Sequence, residues 1–576
     1  MSLLPGGLLR QELFIGVASS VTARSVGVNL SEAGRPSGSH FDGARYGRGE
    51  VGEFVLVEGQ RSLLLGRIAE VRVREGERRM LTRDFAGAID FDAVGQVQLL
   101  GCIQADTLRV TAGVDAYARL GDRVYAAPHR FIALLPRLME GDAANEALTL
   151  NVGSVGGSAD GAVLLRPERL FGRHCAILGA TGGGKSWTTA RLIEECLRHA
   201  ARLVLIDATG EYRSLVAPSV RHCHLGTPVS MGPESQSCRL PPTSFTESDF
   251  ISLFEPAGKV QGPKLRAAIR SLRLARIRPE LAPEGFIRKI NMSKLPVEEA
   301  ENDPEVSKRL DDPSESFDPR YLVRQIEQEC VWPDGWGTMK GQKDTTKWGD
   351  SSGDFSHCLS MVARINGVLS SKSFECVFAQ STEPALTDLI DSVHSDQAGL
   401  LRVDLSGIGY EFQAREIIAN VIGRHLLLSA RSGAYSASPA LVFVDEAHNF
   451  LGRRVGLDDY GARLDSFELI AKEGRKFGLN LCLSTQRPRD ITEDVLSQMG
   501  TLVVHRLTND RDRDVVERAC GEIDRAAAAF LPNLRPGEAA IIGTDFPIPL
   551  TVLVAPPVMR PHSDGPDYQT NWVMDG

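Results

Sequence analysis

The chain has 576 residues with 74 acidic and 65 basic side chains, a net charge of −9. That length leaves room for about two to four domains, and the negative balance excludes a globally basic nucleic-acid binder while leaving open a locally basic channel. Ten cysteines are scattered without a C-x-x-C pair, which argues for reduced thiols rather than a disulfide scaffold. No apolar run reaches the length of a membrane span. The start, MSLLPGGLLRQELF, lacks the basic head and long apolar core of a signal peptide. A cytoplasmic location is therefore expected, with no membrane partner.

Residues 1–155 read as short strands rich in β-formers, such as Phe14 to Val17, Phe54 to Val57, Ser62 to Ile68, Gly95 to Leu100 and Asp122 to Tyr125. Frequent turn signals between them predict a small β-barrel or sandwich, with Leu148 to Val152 as its last strand. Residues 153–161 are Gly/Ser-rich and predict a linker.

The apolar run Ala176 to Leu178 predicts a buried strand, followed by Gly179-Ala180-Thr181-Gly182-Gly183-Gly184-Lys185-Ser186 and a helix from Trp187 to Ala200. This is the G-x-x-x-x-G-K-[ST] phosphate loop in its required strand–loop–helix setting. Glycines bring backbone N–H groups up to phosphate oxygens, and a helix N-terminus adds positive potential. Lys185 would meet the β- and γ-phosphates of ATP, and the Ser186 hydroxyl would ligate Mg²⁺. Trp187, next on the helix, belongs to the same nucleotide-binding stretch.

Leu203 to Ile206 predicts a second strand, ending in Asp207-Ala-Thr-Gly-Glu-Tyr212. His222-Cys223-His224 lies on a strand whose alternation turns the two histidines away from the cysteine, and with no second ligand cluster nearby it predicts no metal site. Residues 236–394 interrupt the α/β rhythm with helical segments (Phe245 to Phe254, Pro263 to Arg278, Tyr321 to Cys330, Phe355 to Leu369) and predict a helical insertion. One stretch, Lys259 to Arg278, carries seven basic residues and no acid. Two readings stand: a solvated face paired with the acidic loop expected at 296–319, or a contact with phosphate backbone.

The rhythm resumes at Gly399 to Leu405 and a helix from Glu411 to Arg431. Ala440 to Val444 is an apolar strand ending in Asp445-Glu446. Asp445 would hold Mg²⁺ through water, and Glu446 would orient and polarise the attacking water. A Gly/Asp-rich loop, 456–461, precedes a helix from Leu464 to Phe477 that contains Glu473-Gly-Arg475-Lys476. The strand Leu479 to Ser484 ends in Thr485-Gln486, and Gln486 at its tip would hydrogen-bond the γ-phosphate or the lytic water. Leu502 to His505, Gly537 to Ile542 and Pro549 to Val554 complete the strands. The tail 556–576 is polar and proline-rich and predicts an extended arm or disorder.

Taken together, GATGGGKS (179–186), DATGEY (207–212), VDEAHNF (444–450), EGRKFG (473–478), STQRP (484–488), HRLTND (505–510) and RPGEA (535–539) resemble the HerA family of hexameric DNA translocases, relatives of the FtsK-type pumps. Asp-Glu-Ala-His alone would also suit superfamily-two helicases, whose later arginine-rich motif is missing from the sequence. The resemblance implies an α/β, RecA-like P-loop ATPase core (162–235 and 395–555) with an inserted helical bundle (236–394), a small N-terminal β-barrel (1–155) and a C-terminal tail (556–576). It also implies a homohexameric ring with ATP bound between neighbours. Arg475 is the first candidate for an arginine reaching a neighbour's γ-phosphate, and Arg506 the second. Double-stranded DNA would pass through the pore. A nuclease or other effector subunit, NurA-like or SIR-two-like, would dock on the barrel, in DNA end processing or anti-phage defence. The alternative is a ring that acts as a scaffold and nucleotide sensor for an effector, with little translocation. A conjugation-type coupling ATPase is disfavoured by the lack of a membrane anchor in the sequence.

Overall fold

The structure, a computed structural model, describes residues 8–31, 39–41, 44–73, 93–104, 106–140, 148–155, 161–228, 234–312, 315–337, 341–395, 399–451, 454–455, 462–519 and 525–563. The expected loop 456–461 and the centre of the expected linker therefore lie outside the described residues. The chain divides into two compact units. The first holds Met1–His199, Cys482–Arg489 and Glu493–Arg560. The second holds Ala200–Leu481, Asp490–Thr492 and Pro561–Gly576.

The first unit opens on a sheet of seven strands: β1 (Phe14–Val21), β2 (Ser25–Leu30), β3 (Phe54–Val57), β4 (Ser62–Val73), β5 (Ala93–Gln104), β6 (Val110–Ala112) and β7 (Arg123–Ala126), with a separate short hairpin at Ser39–Phe41 and Ala44–Tyr46. They pair antiparallel in the order β2-β1-β7-β3-β4-β5-β6, and β2 also pairs with β5. That last pairing closes a six-stranded barrel, with β6 added outside the ring on β5, and closure removes the open edges a sheet would otherwise present. The alternation is strict where the barrel wall is thin: Val26, Val28 and Leu30 of β2 point inward and the residues between them do not. These side chains join Ile15, Val55, Leu64, Ile68, Val97 and Val124 in one core.

One expectation for this part is corrected and one element is added. The segment His129–Leu138, where no strand was named, is a helix. Its Phe131, Ile132 and Leu135 are buried on one face, and Pro136 falls in the last turn, where it interrupts little. The strand at 150 does not belong to the barrel: β8 (Leu150–Ser154) pairs with β9 (Ala162–Leu165) and with the distant Phe546–Val554.

The chain then runs through β10 (Cys175–Leu178), β11 (Arg202–Asp207), β12 (Val220–His224), β13 (Gln236–Ser237), β14 (Gly399–Asp404), β15 (Ala440–Val444), β16 (Leu479–Thr485), β17 (Thr501–Val504), β18 (Glu538–Gly543) and β19 (Phe546–Val554). In the first unit β10 lies between β16 and β17, parallel to both. Beyond β17 the order continues β18-β19-β8-β9, all antiparallel. In the second unit β15, β11, β14, β12 and β13 are neighbours in that order and all parallel. Strands buried on both faces explain the uninterrupted apolar runs CAIL and ALVFV. The result is an α/β P-loop ATPase fold preceded by a small barrel, as the sequence led us to expect.

The insertion, in the second unit, contains helices at Glu247–Phe254, Gly258–Ile277, Leu322–Glu329 and Phe355–Ser370, close to the expected ranges. The acidic stretch 296–319 is not a loop as far as residue 310. It forms helices Leu295–Asn302 and Pro304–Leu310, in which Pro296 and Pro304 occupy first-turn positions and the Asp303 carboxylate caps the second. Val297, Val306 and Leu310 pack on Leu274 and Ala275 of the long basic helix. Three arginines of this basic stretch are paired by the acidic segments around it. Arg266 meets Glu247 at 2.8 Å, Arg270 meets Glu301 at 3.3 Å and Asp311 at 3.0 Å, and Arg278 meets Asp303 at 2.7 Å. Arg273 is buried and donates to the carbonyls of Glu315 and Leu310. Of the two readings of this helix, the structure has the paired face.

Candidate phosphate loop and acidic strand ends

The phosphate loop is built by abrupt burial. All four residues of β10 are fully buried, so the chain leaves the sheet at one point and must turn at once into the helix Lys185–Leu197. Gly184 makes that turn at φ +113°, a conformation that favours glycine, and a Cβ there would also stand 3.2 Å from the His505 ring. Within the loop, the Gly183 N–H donates to the Ala180 carbonyl at 3.0 Å, and the Ala180 N–H donates to the Arg506 carbonyl at 3.1 Å. Lys185 is only 8 % exposed, and its Nζ donates to the Ala180 carbonyl at 3.4 Å. Ser186 follows in the first turn. The Thr181 hydroxyl donates to Oε1 of Gln486, so the structure brings the expected strand-tip glutamine to the loop.

Two contacts here were not legible in the sequence. The His505 imidazole lies beneath the loop, with Nε2 2.8 Å from the Thr188 hydroxyl and Nδ1 2.8 Å from the Glu538 carbonyl. Burial, reinforced by the Lys185 charge, pushes its pKa down to about 4, so the ring is neutral at physiological pH. The start of the tail is also ordered against the helix. Glu194 accepts the N–H groups of Val558 and Met559, and the Arg560 guanidinium lies 5.4 Å from the Trp187 ring centroid. Of the two expectations for the tail, extended arm or disorder, disorder does not hold for residues 558–560.

The second unit carries the acids. Asp445 follows β15 and is 4 % exposed. Its backbone N–H donates to the Ile206 carbonyl, and the Tyr212 hydroxyl donates to its Oδ1 at 3.4 Å. Glu446 is held at φ +46°, a costly conformation for a side-chain-bearing residue, and His448 Nδ1 lies 3.2 Å from its Oε2. The strained backbone places a turn directly at the second of the two acids. Behind them, Asp207 accepts the N–H groups of Gly210 (2.8 Å), Glu211 (3.2 Å) and Tyr212 (3.0 Å), which fixes the loop that presents Tyr212. Arg402, fully buried, donates Nε to Asp207 and Nη2 to Asp404, both at 2.7 Å. A lone arginine inside the apolar strand GLLRVD was the available signal for this network. His222 bonds the Leu215 carbonyl and His224 bonds Ser235, which accounts for both histidines, and no metal-ligating cluster occurs among the described residues.

Arg475 sits in the turn Gly474–Phe477, after the helix Ser466–Glu473. It is exposed, and among the described residues its guanidinium makes no ion pair. Arg506, the second candidate, is exposed beside the phosphate loop.

Residues 150–329 match the family model "Helicase HerA, central domain". The chain is 24% identical over 434 residues to the "Probable DNA double-strand break repair helicase HerA" of Methanocaldococcus jannaschii, covering 70% of this chain and 76% of that protein. A segment of 121 residues is 37% identical to the "DNA double-strand break repair helicase HerA" of Pyrococcus furiosus, covering 20% of this chain and 21% of that protein. Among solved structures, VirB4 of Thermoanaerobacter pseudethanolicus superposes with a TM-score of 0.43 at 15% identity, covering 72% of this chain and 98% of that chain. No helix of the described residues is long and apolar enough to cross a membrane.

Proposed function

We propose that this chain is an ATP-hydrolysing member of the HerA family of P-loop ATPases and that it works as a ring of six copies that spends ATP to move or unwind double-stranded DNA. The observation that carries the reading is the phosphate loop itself: a left-handed glycine before the helix, a buried lysine, and Gln486 bonded into the loop. In this proposal Gly179, Ala180, Thr181, Gly182, Gly183 and Gly184 form the cradle for the phosphates of ATP and the Lys185 ammonium binds them, with Trp187 beside them; the Ala180 and Gly183 N–H groups donate within the protein and shape the loop. Ser186 and Asp445 are the residues whose oxygens suit Mg²⁺, a hard cation that takes hydroxyl and carboxylate ligands. The ion, when bound, neutralises charge on the transferred phosphoryl group. Glu446 acts as the base that orients water, Gln486 positions that water or the γ-phosphate, and Arg475 serves a neighbouring subunit. An exposed arginine that makes no ion pair among the described residues, at the end of an element, suits a role toward another copy.

Apart from the strand at 150, which pairs outside the barrel, the division into barrel (1–155), core (162–235 and 395–555), helical insertion (236–394) and tail (556–576) belongs to the same proposal. So does an effector or nuclease docked on the barrel, in DNA end processing or in anti-phage defence. The names of the M. jannaschii and P. furiosus relatives support DNA as the substrate.

The test is ATPase rate with and without long duplex DNA, together with displacement of a triplex-forming strand. Stimulation with displacement is expected. DNA-independent hydrolysis without displacement would instead favour the scaffold and sensor. Lys185→Ala should abolish nucleotide binding. Glu446→Gln should bind ATP yet hydrolyse it on the order of 10²-fold more slowly, and normal hydrolysis by that variant would remove Glu446 from the base role.

A further inference from the structure

We propose that His505 is a positioning residue of the phosphate loop, which it ties to the turn Arg535–Glu538 so that the loop keeps its nucleotide-receiving shape. The inference rests on the nucleotide reading above.

His505 is fully buried at the tip of β17. The Glu538 carbonyl can only accept, so the proton sits on Nδ1, and Nε2 accepts from the Thr188 hydroxyl. One ring therefore joins the first turn of the phosphate-loop helix to β18. The ring also sets the loop's shape by contact. A Cβ on Gly179 would come within 2.6 Å of the His505 Cβ, and one on Gly184 would meet the ring itself. The loop glycines are thus packed on the histidine as well as shaped for phosphate.

Two backbone ties run alongside. The Gly537 N–H donates to the Gly183 carbonyl at 3.3 Å, and the Arg506 carbonyl accepts from Ala180. A loop that binds anions through its amides must keep its carbonyls turned elsewhere, and Gly537 engages one of them. The turn that supplies Gly537 is itself braced, since Glu538 accepts the Arg535 N–H at 2.9 Å and pairs with its guanidinium. His505 touches neither ATP nor water in this scheme; it acts through Thr188 and the loop.

The test uses the full-length protein with a fluorescent ATP analogue, plus amide hydrogen exchange of the loop without nucleotide. His505→Ala should weaken nucleotide binding roughly tenfold, as expected for two lost buried hydrogen bonds. His505→Gln, which keeps a donor and an acceptor, should stay within about threefold. Thr188→Val should cost several-fold alone and add little in the His505→Ala background, because the two changes break the same tie. Exchange at residues 179–189 should rise in His505→Ala and Thr188→Val and stay near wild type in His505→Gln. Wild-type affinity and exchange in His505→Ala, or costs that simply add in the double variant, would overturn the proposal. Should His505→Ala fail to fold, an unchanged loop in Thr188→Val would do the same. Exchange is read without nucleotide, so a wild type that bound no ATP would sink the ATPase reading while the relay was still decided.

Discussion

A neutral imidazole under a phosphate loop has a thermodynamic consequence apart from binding. Burial holds His505 at a pKa of about 4 in the folded chain, against 6.5 when unfolded. The folded state therefore resists a proton that the unfolded state accepts, and stability is lost as pH falls from 6.5 toward 4. By linkage this one residue should remove about 2 kcal/mol between pH 7 and pH 5. His505→Gln, which does not titrate, should unfold at nearly the same denaturant concentration at both pH values to that extent, and chemical denaturation at the two pH values measures it. A variant with the full wild-type acid sensitivity would mean that His505 is charged or exposed in solution. At this scale the sequence was legible wherever partners are neighbours in the chain. Lys185 and Ser186 follow their glycines directly, and Glu446 follows Asp445. His505 was quoted within a motif but had no assignable role, because its partners, Thr188 and Glu538, lie 317 and 33 residues away.

Elements were read well where one face is apolar and poorly where charge or proline hid the pattern. Strands β10, β11, β15 and β16 fall where their apolar runs predicted. The acidic stretch 296–319 did not, since its prolines resemble breakers until their first-turn positions are known. The arginine of β14 and the basic helix behave in opposite ways, and burial decides which matters for stability. Arg402 is fully exchanged from water onto two buried carboxylates, Asp207 and Asp404. Arg402→Met would strand both, and breaking such a group costs about 3–5 kcal/mol, visible as a large drop in the denaturation midpoint. Arg266 and Arg270 are half exposed and already paired with Glu247, Glu301 and Asp311, so each pair contributes about 0–1 kcal/mol. Replacing both with alanine should leave duplex DNA affinity and its salt dependence unchanged. A phosphate-contacting pair would instead lower the slope of log K against log salt by about 1.8, and that result would restore the nucleic-acid reading of this helix.

For the whole molecule, the sequence could place chemistry within one chain, but it could not show what a neighbour supplies. The phosphate loop belongs to the first unit and Arg475 to the second, and the proposal is that a loop and an Arg475 from two different copies serve one nucleotide. A subunit-mixing experiment separates this from action within a single chain. Lys185→Ala lacks the phosphate contact, and Arg475→Ala lacks the guanidinium, so each should be inactive alone. Mixed before assembly in equal amounts, they form rings in which an Arg475→Ala loop faces a Lys185→Ala neighbour with its arginine intact. Random assembly in a cyclic ring gives such a pair at about a quarter of the interfaces. ATPase activity should therefore reappear on mixing, at up to that fraction of wild type if interfaces act independently. If Arg475 served its own subunit, each copy would still carry one broken part and the mixture would stay silent. Repeating the mixture with Arg506→Ala in place of Arg475→Ala then assigns the finger between the two exposed arginines.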